Sequence, residues 1–138
     1  MGLPKSREAR LFYRVAQQRL LDAQFLIEGG RTTGAVYLAG YGVECVLKAL
    51  ILDRATEKNR SSISDSFRGV RAHDFGWLRR MYVAYRGEVP PKEIRVALEE
   101  VNSWSTNLRY VPGKIRKRQA TDFLKSARMV FSWAHGRF

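Results

Sequence analysis

Apolar residues recur every three or four positions through most of this chain, and that spacing divides it into helices. The first is expected to begin near Ser6, a good N-cap, and to stop at Gly29 and Gly30. Phe12, Ala16, Leu20, Ala23 and Ile27 are its apolar positions, and Lys5, Arg7, Arg10 and Arg14 make its entrance basic. The second runs from about Thr33 to about Thr56 and has three faces. Val36, Val43, Leu47 and Leu50 form a bulky face, and Ala35, Gly42, Cys45 and Ala49 form a small one that predicts close pairing with another helix; Tyr37, Tyr41, Glu44 and Lys48 share the third. Residues 57 to 72, "EKNRSSISDSFRGVRA", are serine-rich, charged and without a period, which predicts a long loop or a short irregular turn. Asp74 is the expected N-cap of a third helix carrying Trp77, Leu78, Met81 and Tyr85. "GEVPP" ends it, and Pro91 opens a fourth with Ile94, Leu98 and Val101. After "SWSTNLRYVPGK", a last helix runs to about Ala134 with Phe123, Leu124, Ala127, Val130, Phe131 and Ala134 on one side. No segment has a strand period, so the fold class is all-α with about five helices.

A length of 138 residues suits one domain, residues 1–138, with a single core. Composition adds a strong charge: 25 Lys and Arg against 13 Asp and Glu, a net +12. Such an excess attracts polyanions, nucleic acid first, then anionic membranes and acidic proteins. Glu44 and Lys48 near the middle make the second helix a poor bilayer span, so no membrane partner is expected. The beginning of the chain lacks the apolar stretch of a signal peptide, and the single cysteine, Cys45, offers no disulfide framework; a cytoplasmic location is expected. No His, Cys or carboxylate cluster has metal-ligand spacing, so neither a metal nor another cofactor is expected.

Two groups of charges carry candidate binding chemistry. Glu44 and Lys48, four residues apart, are either an exposed ion pair contributing about 0.2–0.5 kcal/mol or a pair held beside a cleft that takes RNA or a nucleotide. Lys117, Arg118, Lys125 and Arg128 gather on the polar side of the last helix, where they either follow a phosphate backbone or form a solvated face. Trp77, Trp104 and Trp133 read as core residues, and His135 has no assigned role.

The string "AQQRLLDAQFLIEGGRTTGAVYLAGYGVECVLKALI", then "HDFGWL", "NLRYVP" and the amphipathic last helix, resembles the HEPN domain family (higher eukaryotes and prokaryotes nucleotide-binding) from about Ala9 to Trp133. The resemblance implies an up-and-down helical bundle that pairs as a homodimer, and it offers two functional classes. Some members are metal-independent ribonucleases, often toxins or defence effectors, marked by an Arg, four to six residues and a His. Others lack that motif and bind a nucleotide or a partner, often a small nucleotidyltransferase that serves as antitoxin.

"RGVRAH" places Arg68 and His73 at the spacing of the ribonuclease motif. An imidazole can move a proton to or from a ribose 2′-hydroxyl, and a guanidinium can hold the phosphate as charge builds. Gly69 stands where nuclease members carry a polar residue, and His73 suits the start of a helix equally well. The resemblance also sets Arg109 and Tyr110 near a polar cleft, for gripping a phosphate and stacking on a base or for closing the core. Ribonuclease, non-catalytic partner module and sequence-independent DNA binder through the last helix remain the three readings.

Overall fold

The computed structural model describes residues 2–85 and 87–138, except the side chains of Thr106 and Arg109. Six α-helices and no strand are found among the described residues, and 75% of the chain is helical. Ser6 opens α1 (Arg7–Glu28) by accepting the Ala9 amide on Oγ at 3.1 Å, and Gly30 ends it at φ +77°, a left-handed conformation that suits glycine. The chain turns back into α2 (Thr32–Arg54), which lies along α1. The small face of α2 makes this approach possible: a Cβ on Gly42 would stand 2.9 Å from the Leu20 side chain and 3.4 Å from the Ala16 carbonyl. That face is therefore taken up by α1.

Sixteen of the 23 residues of α2 are buried. Its length and hydropathy would suit a membrane span, yet 83% of its most apolar window is enclosed by the rest of the bundle, which makes it the central core helix. Against it pack α1, α4 (Phe75–Ala84) and α6 (Lys117–His135), and α5 (Lys92–Val101) covers α6. Thr33 fastens the α6 entrance to the start of α2, donating to the Gly113 carbonyl at 2.9 Å and accepting the Ile115 amide at 3.1 Å. Asp74 caps α4 by accepting the Trp77 amide at 3.0 Å, as its residue type predicts. At the far end of α6, His135 Nδ1 lies 2.5 Å from the Tyr13 hydroxyl and ties α6 to α1.

The loop expected over residues 57 to 72 is corrected. Residues Glu57–Ser66 form a sixth helix, α3, and Val70–His73 form a 3-10 turn leading to α4. Only Ile63 is buried within α3, and Phe67 is buried just beyond it. These two side chains, four apart, hold a helix whose other residues are polar. Its apolar period is a single repeat, too short to be read from the sequence.

Candidate functional site

Along α2, Tyr37, Tyr41, Glu44 and Lys48 form one line, as their spacing predicts; Tyr37 and Tyr41 are half-buried, and Glu44 and Lys48 are buried. Trp104 lies across its first half. The indole Nε1 donates to the Tyr37 carbonyl at 3.0 Å, and the ring crosses so close to the helix that a Cβ on Gly40 would stand 2.1 Å from it. Phe75 stacks on the other side of Trp104 with centroids 5.4 Å apart, which places the end of the 3-10 turn, two residues earlier, next to Glu44.

There the 3-10 turn presents His73. Its Nδ1 lies 2.7 Å from Glu44 Oε1, while Lys48 Nζ donates to the other oxygen, Oε2, at 2.8 Å. Glu44 and Lys48 are both buried, at 3% and 4% exposure, whereas the His73 side chain is 43% exposed. The Lys48 ammonium sits near two rings, 5.8 Å from the centroid of Phe12 and 5.3 Å from that of Phe67, and these rings meet edge to face. An ionised carboxylate only accepts, so in this bond Nδ1 is the donor, and much of the rest of the His73 side chain is open to solvent. Such a ring, fixed at one nitrogen with the other open, can act as an acid or a base.

The same turn and the residues just before it display further cations. Arg68 and Arg71 are exposed, as is Val70 at 92%. Arg71 was missed from the sequence, although it lies inside "RGVRAH"; the spacing rule draws attention only to the first and last residues of the string. Tyr110 is exposed at the end of a second 3-10 turn, Thr106–Tyr110, which rests on α2 just after Trp104. The Arg109 side chain lies outside the described residues.

The four basic residues of α6 are elsewhere. Phe12 faces Phe67 and the Glu44 cluster, whereas the next residue, Tyr13, stacks on Phe131 of α6. Successive residues of a helix point about 100° apart, so α6 and the His73 turn flank different sides of α1. Lys117, Arg118, Lys125 and Arg128 are exposed, but acids and amides interrupt them. Lys125 shares a cavity of about 470 Å³ with Glu100 and Asp122, and Arg128 donates to Gln24. Glu44 and Lys48 belong with His73; the α6 residues do not.

Cys45, beside Glu44, is enclosed by the core, and burial first and the Glu44 charge second push its thiol up to about 12. It is no nucleophile at neutral pH. Among the described residues no group of three or more His, Cys, Asp or Glu could hold a metal ion.

A family model for the HEPN domain matches residues 9–137, nearly the whole chain, and supports a nucleotide- or RNA-related function in general. No curated protein and no solved structure matches the chain.

Proposed function

We propose, since the chain belongs to the HEPN domain family, that it engages RNA and cleaves it without a metal ion at His73. One observation carries this reading: an exposed imidazole held through Nδ1 by a buried carboxylate, on a turn that also displays Arg71 and begins two residues after the exposed Arg68. In the reaction, His73 Nε2 takes the proton of a ribose 2′-hydroxyl. The 2′-oxygen forms a bond to the adjacent phosphorus, and the bond from phosphorus to the 5′-oxygen breaks. The imidazolium then returns a proton to the departing 5′-oxygen, leaving a 2′,3′-cyclic phosphate and a 5′-hydroxyl. Arg68 meets the charge that builds on the phosphate oxygens, and Arg71 holds the strand beside it.

The test is cleavage of single-stranded RNA by the purified protein in EDTA, with the product ends identified. The expected result is cyclic phosphate ends from the wild type and a loss of about 10²–10⁴-fold in rate for His73→Ala, the usual contribution of an acid or base. A His73→Ala protein that cleaves as fast as the wild type would overturn the reading.

A further inference from the structure

Lys48 looks at first like a phosphate ligand, because it is a cation on the site's own helix. Its surroundings exclude that role. At 4% exposure, with one Glu44 oxygen at 2.8 Å and the rings of Phe12 and Phe67 beside it, the ammonium has no open direction for RNA. Its position instead bears on the charge of the cluster. A buried carboxylate demands a compensating cation. Two groups reach Glu44: Lys48 on Oε2 and His73 on Oε1. With Lys48 in place, the carboxylate is balanced before His73 is counted, so the imidazole can bond to Oε1 as a neutral ring.

We infer that Lys48 is a positioning residue that acts through Glu44, taking one oxygen and balancing its charge so that His73 is held neutral with its proton on Nδ1 and Nε2 bare. The inference rests on the ribonuclease reading for its consequence, since a bare Nε2 is what a base requires. Without Lys48, His73 becomes the counter-ion of Glu44, keeps a second proton on Nε2 and cannot accept one from a hydroxyl. The other charges nearby are Arg68, Arg71 and Asp74 of its own segment, all exposed, and Arg19 of α1, whose charge reaches Cys45 beside Glu44. Among the described residues only Lys48 and His73 bond to Glu44, so the exchange between these two is the direct one.

Ring ¹⁵N NMR of His73 in the full chain, at mildly alkaline pH and without RNA, reads the proton directly. The wild type should show a neutral ring protonated on Nδ1, the minor tautomer of a free histidine side chain in water. Lys48→Met should show a doubly protonated ring at the same pH, and Lys48→Arg, which restores the charge, should return toward the wild type. In cleavage assays the Lys48→Met profile of kcat against pH should move to higher pH by about one unit or more, the scale of a lost neighbouring charge, with KM unchanged. A wild-type ring protonated on Nε2, or a Lys48→Met ring identical to the wild type, overturns the inference; the first outcome decides it even where Lys48→Met fails to fold. If the NMR states are as expected but the wild type cleaves no RNA, the charge balance stands and the ribonuclease reading falls.

Discussion

Around Glu44, three ionisable side chains meet over two carboxylate oxygens, two of them inside the bundle, whereas along α6 four basic side chains stand in solvent among Gln24, Glu100 and Asp122. By count of charges α6 is the stronger candidate for binding nucleic acid. By geometry it is the weaker one, because its cations stand in solvent among acids and amides and no buried group fixes them. Burial makes the difference. A charge removed from water must be paired in a defined geometry, and the pairing passes that geometry on to the exposed group at its edge, here His73.

The comparison breaks most sharply in activity. His73→Ala should slow RNA cleavage by about 10²–10⁴-fold, whereas Lys125→Ala with Arg128→Ala should leave kcat within a few-fold of the wild type. Equal losses in both variants would mean that α6 belongs to the reacting site.

Stability comes next. Glu44→Gln leaves the buried Lys48 ammonium without its counterpart and should cost about 3–5 kcal/mol in urea unfolding; Lys48→Met should cost less, because His73 can take over as counter-ion of Glu44. The double mutant should cost clearly less than the sum, because removing both charges strands neither. Additive losses below about 1 kcal/mol would show the pair to behave like a solvated one.

A smaller effect probes the scaffold behind the cluster. Gly40→Ala puts a methyl 2.1 Å from the Trp104 indole and should cost about 1–3 kcal/mol by overpacking. Because Trp104 stacks on Phe75, the His73 ring signals should shift in the same variant; unmoved signals would show that Trp104 does not set the position of the turn.

The smallest difference lies in salt dependence. Reversing Arg68 and Arg71 should flatten the slope of log affinity against log salt by about one for each phosphate that an arginine neutralises. Reversing Lys125 and Arg128 should change it less, and the opposite order would place the strand along α6.

Much of this architecture was legible in the chain. Ser6, Gly29, Asp74 and Pro91 mark helix ends by residue type alone, and the observed helices begin and stop at or beside them. α3 was not legible, because only Ile63 and Phe67 anchor it and one apolar repeat makes no pattern. The same limit separates the two halves of the site. Glu44 and Lys48 announce each other at four residues on one helix, as do Arg68 and His73 at their motif spacing. That the two pairs meet depends on a bond between residues 29 positions apart, which no local pattern encodes. The small face of α2, read as a surface for close helix pairing, is used within the chain by α1 and is not free to pair with another molecule.

The sparse anchoring of α3 and its following turn has a consequence in time. Ile63, Phe67, Ala72 and the His73–Glu44 bond hold this segment, while α2 is enclosed almost throughout. Its amides should therefore exchange with solvent through a local opening that costs far less than unfolding the bundle. Each opening carries Arg68, Arg71 and His73 away from Glu44 together. On the proposed ribonuclease reading, turnover is the intrinsic rate multiplied by the fraction of time the segment spends closed, and anything that grips it shut would raise that rate without touching the reacting atoms.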